Sequence, residues 1–207
     1  MVVSDVLAFV RANLPPPPAR VLEVGAGDGK LAENLASAGY EVVAIDPEPG
    51  GSNVRACALH ALDEPAASFD AAIAIVSLHH VDPLPESLRR LAEVLKPAGT
   101  VLIDEFDVGA FDVSAAEWWL ERRHTLSEAE LAGAEELVDE HRAHLHPLHR
   151  IAAALESRFN VGIPIRGTYL YRWDLGESFR KVEEDSIARA QIPAVGARLV
   201  ALRKSAV

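Results

Sequence analysis

The segment Glu23-Val24-Gly25-Ala26-Gly27-Asp28-Gly29 sets three glycines at alternate positions between a short apolar run and a helical pattern. Glycines there let the chain turn sharply and let a ligand lie against bare backbone. Asp46 ends the next apolar run, 21 residues after Gly25. A carboxylate in that place accepts hydrogen bonds from both hydroxyls of a ribose and disfavours a 2′-phosphate. Together the two features read as a site for adenosine with a free ribose. The dinucleotide pattern G-x-G-x-x-G requires glycine where Lys30 stands, and the phosphate-loop pattern requires a G-K-[ST] that does not follow.

Four further groups carry side chains able to do chemistry. Ser77-Leu78-His79-His80 leaves a fourth apolar run, and His79 and His80 are the base candidates; the alternative is that one of them braces the loop. Glu105 follows a fifth run, where it either orients an acceptor or simply finishes a strand. His141, His144, His146 and His149 form a dense tract beside Glu140, with His141 and His144 on one helix face. Imidazoles bind metals, but Pro147 interrupts the spacing; the other readings are a substrate-facing helix end, with His144 in the pocket, or a solvated face. The aromatics Trp118, Trp119, Tyr169, Tyr171 and Trp173 suit either a core or a pocket wall. Adjacent tryptophans on a helix point about 100° apart, so one of the pair is expected in the core and the other in a pocket.

The elements that must position these groups alternate strand and helix. A helix over Val2–Leu14 shows Val3, Val6, Leu7 and Val10 on one face and ends at the tetraproline Pro15–Pro18. Strands are predicted over Arg20–Val24, Glu41–Ile45, Val54–Leu59, Asp70–Val76 and Thr100–Asp104. Helices follow the first of these, with Gly39 as its stop, and the fourth, opened by Asp82 as N-cap and Pro83 as first residue. This alternation implies right-handed crossovers and a parallel sheet. Ser114-x-x-Glu117 and Ser127-x-x-Glu130 read as capping boxes, His124 as the end of the helix between them, and Ile151, Leu155 and Phe159 as a third helix. Ile163–Tyr171 reads as a strand, Asp174–Ala190 as a helix, and Gly196–Arg203 as a final strand.

The chain has 207 residues, 49% of them hydrophobic, enough for a sizeable core. Acidic residues outnumber basic ones 31 to 20, a net charge of −11 that would repel a phosphate backbone. Most of that charge sits between Asp104 and Arg150, where 12 acidic face 4 basic residues. Cys57 is the only cysteine, which excludes an intrachain disulfide and suits a reducing compartment. Met1–Asn13 has neither a basic region nor a long apolar run, so no secretory leader is expected, and no apolar run is long enough to span a bilayer. The resulting expectation is a cytoplasmic protein that binds neither nucleic acid nor membrane.

Four blocks resemble the class I S-adenosylmethionine-dependent methyltransferases, in that family's order and spacing. They are Val21–Gly29 (VLEVGAGDG), Val42–Pro47 (VVAIDP), Ser68–Val81 (SFDAAIAIVSLHHV) and Leu91–Thr100 (LAEVLKPAGT). The resemblance implies a doubly wound, mostly parallel seven-stranded α/β sheet with an antiparallel last strand. Residues 1–18 would form an N-terminal helix and proline-rich connector, and residues 106–160 a helical insertion capping the substrate. It implies S-adenosylmethionine as cofactor, with Gly25, Ala26, Gly27 and Gly29 under the methionine half and Glu23 near the amino group. Asp46 would hold the ribose, Pro47 would border the adenine, and Ser77 and Leu78 would lie beside the sulfonium. The family's adenine-binding acid is missing from Ala58–Leu62, so His60, Ala61 or a backbone group stands in. The Tyr169–Trp173 segment would belong to the sixth strand. The fourth-strand exit lacks both the motif of amide- and base-directed relatives and the acidic ligands of metal-dependent ones, so no metal is expected. Methyl transfer to a small-molecule acceptor follows, in a monomer or a homodimer. A non-catalytic cofactor-binding accessory or sensor protein is the alternative, and a nicotinamide-dependent oxidoreductase the second.

Overall fold

The computed structural model describes residues 3–123 and 133–205. In chain order the strands are β1 (Arg20–Val24), β2 (Glu41–Asp46), β3 (Arg55–Ala56), β4 (Phe69–Ile75), β5 (Leu95–Phe106), β6 (Phe159–Val161), β7 (Ile165–Gly167) and β8 (Gly196–Arg203). They form one sheet in the order β3-β2-β1-β4-β5-β8-β6, with β7 also paired to β8. The β3-β2-β1-β4-β5 part is parallel, and β8 runs antiparallel to β5, β6 and β7.

Successive residues of a strand face opposite sides of a sheet, and here both sides are apolar. Leu22, Val24, Ala72, Ala74, Val101 and Ile103 join a core with α3 (Leu84–Val94) and α6 (Leu148–Glu156). Val21, Ile73 and Leu102 face the other way, onto Val6 and Val10 of α1 (Val3–Asn13) and Leu35 of α2 (Lys30–Ser37). Helices on both faces make the sheet doubly wound. A separate cluster gathers beyond the end of β5, where α4 (Val113–Leu120) and α5 (Ala134–His144) pack on Phe106, Tyr169, Leu170 and Ile192. Thus α6, within the 106–160 stretch, belongs to the main core, whereas α4 and α5 build the second one.

Several elements differ from expectation. The sheet has eight strands rather than seven, because the predicted strand over Ile163–Tyr171 is replaced by β6 and β7 at opposite ends of β8. Leu170–Arg172 is a 3-10 turn, because the buried Glu183 carboxylate accepts the backbone N–H groups of Tyr169, Leu170 and Tyr171 (2.7–3.0 Å). The strand over Val54–Leu59 shrinks to β3, followed by a 3-10 turn over Leu59–Ala61. Pro83, not Asp82, is the N-cap of α3. Asp112 rather than Ser114 caps α4, its Oδ1 accepting from the Ala115 N–H at 2.9 Å. Phe159 lies on β6 rather than on the helix before it. After Asp174 a 3-10 turn (Glu177–Phe179) precedes α7 (Arg180–Ala188). His124 and the Ser127–Glu130 box lie outside the described residues.

Candidate active site

The glycine loop, Asp46, Ser77, His79, His80 and Glu105 sit at the carboxyl ends of β1, β2, β4 and β5, the edge where open parallel sheets take ligands. After β1 the chain turns with Gly25 at φ +71°, and a Cβ there would lie 2.3 Å from the Ser77 Cβ. Glycine is therefore required for the loop to touch the β4 exit. The N–H groups of Gly25 and Ala26 donate to the Ile45 carbonyl (2.9 and 3.0 Å), tying the loop to β2. Asp46 is held from both sides: Oδ2 accepts the Gly27 N–H and Oδ1 the Glu48 N–H, each at 2.9 Å. Gly29 begins α2 at φ +75° against the Asn53 side chain. A cleft of about 520 Å³ opens above, lined by Gly25, Asp46, Pro47, His60, Ser77 and His80 among others. Ala61 is exposed and does not line it.

Glu23 is buried beneath the loop and its Oε2 has no hydrogen-bond partner. Burial pushes its carboxyl up to about 8, opposed by the Ala32 N–H and reinforced by the Asp28 charge. These residues fit an adenosyl amino-acid group: a bare-backbone loop, a fixed strand-end carboxylate and an orphaned buried carboxyl oxygen.

The β4 exit is fastened by a buried carboxylate. Glu105 accepts the N–H groups of Ser77 (3.0 Å) and Leu78 (2.6 Å) through Oε1 and holds the His79 Nδ1 through Oε2. It is fully buried and lines neither cleft described here, so its place is to position the turn rather than to meet a substrate. The Ser77 hydroxyl donates to the Val24 carbonyl at 2.8 Å, closing the loop-to-exit contact. Leu78, expected beside the cofactor, instead sends its side chain into the main core, where it is completely buried. His79 is nearly buried, and its carbonyl accepts the His146 N–H at 2.9 Å. His80 is exposed, with its ring 4.2 Å from that of His79. Partial burial, then the neighbouring imidazoles of His79 and His141, hold the His80 pKa below its ordinary value.

A second cleft of about 310 Å³ lies between the ends of β4 and β5, α5 and the 3-10 turn at Leu170–Arg172. Phe106, Tyr169 and Trp173 form its aromatic wall, with Phe106 and Tyr169 stacked at 5.0 Å and Trp173 tilted against Phe106 at 4.7 Å. His141 and His144 line it too, whereas His146 is a tie, its Nε2 on the Val81 carbonyl at 3.1 Å. Val76 and His80 line both clefts, so the two meet there. Tyr169 is the expected pocket aromatic; burial holds its phenol well above the ordinary pKa, so it stays protonated. Trp118 and Trp119 are both buried in the second core and neither lines either cleft, so the one expected in a pocket is not there. Their indoles donate to the Ser186 hydroxyl (3.0 Å) and the Trp173 carbonyl (2.8 Å). Sequence reasoning missed Val76 and Phe106; their place at the carboxyl ends of β4 and β5, Val76 just after the first and Phe106 last in the second, was the only available signal.

A family model described as a methyltransferase domain matches residues 2–156. The chain is 36% identical over 114 residues to a ubiquinone biosynthesis O-methyltransferase of Xanthomonas axonopodis pv. citri, a match covering 47% of each chain, so it spans about half the length of that curated relative. An S-adenosylmethionine-dependent methyltransferase from Mesorhizobium loti superposes with a TM-score of 0.60 at 16% identity, over 95% of this chain and 96% of that one. A Burkholderia thailandensis 1,6-didemethyltoxoflavin-N1-methyltransferase, solved with its substrate and S-adenosylhomocysteine, gives 0.58 at 22% over 99% and 79%. These likenesses agree with the doubly wound sheet and its antiparallel last strand. The chain belongs to the methyltransferase domain family.

Proposed function

We propose that the protein transfers a methyl group from S-adenosylmethionine to a small-molecule acceptor. The observation that carries this reading is the meeting of two clefts at Val76 and His80, one with a glycine loop and strand-end acid, the other aromatic. The cofactor supplies a methyl carbon already activated by a sulfonium. The protein's part is then to align an acceptor and exclude water. Asp46 receives the ribose hydroxyls on lone pairs left beyond its two backbone contacts. Pro47 and His60 flank the adenine, and Ser77 and the glycine loop border the sulfur end. Glu105 keeps the β4 exit in register with both clefts. Helices α4 and α5 serve as the cap of the acceptor cleft. The single cysteine and acidic balance favour a cytoplasmic enzyme acting on small molecules rather than nucleic acid. No helix among the described residues is long and apolar enough to cross a membrane.

Calorimetric titration with S-adenosylhomocysteine, with NADH as control, tests the cofactor. Micromolar binding of the first alone is expected, weakened about tenfold or more in Asp46→Asn, which keeps the side-chain shape but removes its charge. Binding of NADH instead would return the oxidoreductase reading. Cofactor binding without turnover on any acceptor would favour the accessory protein.

A further inference from the structure

We infer that the second cleft takes a planar aromatic acceptor that carries an acidic O–H or N–H and no anionic group, and that His80 receives its proton. This rests on the methyltransferase reading above and adds the acceptor's class to it. The cleft is lined by three aromatic rings (Phe106, Tyr169, Trp173), four imidazoles, Val76, Leu145 and Glu140. Its volume, about 310 Å³, is at the small end for ligand pockets and suits one or two fused rings. No lysine or arginine is among these residues, and Glu140 is the one side chain of fixed charge. A carboxylate or phosphate would enter without a cationic partner and face Glu140, which costs desolvation with no return. A cationic substituent would instead find both ring faces and that carboxylate. An aliphatic acceptor fills the space but forgoes the ring-to-ring geometry, a difference of a few-fold to about tenfold in affinity.

His80 is placed for the proton. It lines both clefts, and among the described residues no hydrogen bond engages either of its ring nitrogens. His79 lies against it, fixed by Glu105, and His141 and Glu140 face the same cleft. The depressed pKa keeps His80 neutral near pH 7 and so able to accept. A lone pair of the acceptor oxygen or nitrogen forms the new bond to the methyl carbon as the carbon–sulfur bond breaks, its electron pair staying on sulfur. The acceptor's proton goes to His80 and then to water at the exposed side of that ring.

A matched set of ligands tests the class on protein loaded with S-adenosylhomocysteine. The set is 4-methylcatechol and 5-hydroxyindole (neutral aromatics), dopamine (cationic), 3,4-dihydroxybenzoate (anionic) and cis-1,2-cyclohexanediol (aliphatic), each titrated calorimetrically. Turnover is followed with methyl-labelled S-adenosylmethionine. The neutral or cationic aromatics should bind about tenfold or more tightly than the anionic and aliphatic ligands and alone be methylated. Trp173→Ala leaves the carbonyl that receives Trp119 in place; it should weaken aromatic binding several-fold and leave S-adenosylhomocysteine affinity unchanged. His80→Gln should lower kcat by about a hundredfold with little change in KM. Equal or tighter binding of the benzoate or the diol, or no aromatic binding to cofactor-loaded protein, overturns the acceptor class while leaving methyl transfer standing. An unchanged kcat in His80→Gln removes His80 as proton acceptor. Failure to bind S-adenosylhomocysteine at all overturns the underlying reading, and this one with it.

Discussion

Val76 directly follows β4 at φ +53°, a left-handed conformation in which a β-branched side chain crowds its own backbone. Its N–H donates to the Asp104 carbonyl at 2.7 Å, so the neighbouring strand imposes the geometry. Strain of this kind costs on the order of 1–3 kcal/mol and gathers at functional sites, and Val76 borders both clefts. Val76→Gly should relieve it. After the unfolded-state entropy that glycine adds, the net gain is about 1 kcal/mol, or roughly 2–4 °C in Tm by calorimetry. The same substitution should lower kcat, because the wall between the clefts is gone; a loss of both stability and activity would mean that valine's packing outweighs its strain. Residue roles were legible where a role depends on the side chain's type at a strand end. Gly25, Asp46, Ser77 and His80 all line the first cleft as expected. Roles that depend on direction were not. Trp118 and Trp119 are both inward because α4 is buried by neighbours from Tyr169 to Ile192, and Leu78 because its turn folds under Glu105. Nothing about the letter valine announces a left-handed backbone.

Two buried glutamates each hold a short turn whose backbone N–H groups point inward with no strand to receive them. Glu105 does so for the turn after β4, and Glu183, reaching from α7, for the one before Trp173. Glu183→Ala would strand three buried donors, each worth about 1 kcal/mol or more, so a loss of roughly 3 kcal/mol or more is expected in urea denaturation. Glu183→Gln keeps one acceptor oxygen and should lose clearly less. Equal losses would mean that side-chain volume rather than hydrogen bonding holds the turn. The same contact explains which elements could be read from the chain. Arg20–Val24 and Gly196–Arg203 match their strands end to end, because a short, mainly β-branched and aliphatic run bounded by turn residues specifies a buried strand locally. Tyr169–Trp173 has the residue types of a strand, yet its backbone donors are taken by a carboxylate more than ten residues downstream. Helix starts were misplaced by one or two residues for a related reason: Asp112 and Ser114 are both able caps, and the Asp112 Oδ1 accepts both the Ala115 N–H and the Ser114 hydroxyl.

The molecule as a whole keeps its apolar cores on both faces of the sheet and gathers its polar chemistry at one edge, and the parallel order of β2, β1, β4 and β5 is what brings Asp46, Gly25, Val76 and Phe106 into line. The parallel direction of these strands followed from the alternation of strand and helix; their order and the position of α5 did not, since nothing local says which strands pair or that an acidic helix packs against the end of β5. Glu23 links this architecture to global stability. It must lie under the glycine loop, on the face of β1 that meets α2, and it carries no ion-pair partner there. Its carboxyl, raised to about 8, keeps a proton that the unfolded chain loses near its ordinary value of 4.5. The folded state therefore binds more protons across that interval. Its stability is full below the unfolded value and declines as pH rises toward the folded one, by up to about 1.4 kcal/mol per pH unit. The depressed His80 pKa acts in the opposite direction near neutrality, so the wild-type curve alone does not isolate Glu23. Comparison with Glu23→Gln does, because glutamine has the shape but no proton to lose. Urea denaturation without cofactor should give nearly equal stabilities at about pH 5, with the variant ahead by a few kcal/mol at about pH 8. A difference that stays constant across the range would mean that Glu23 is ionised in the folded chain and that a buried cation balances it.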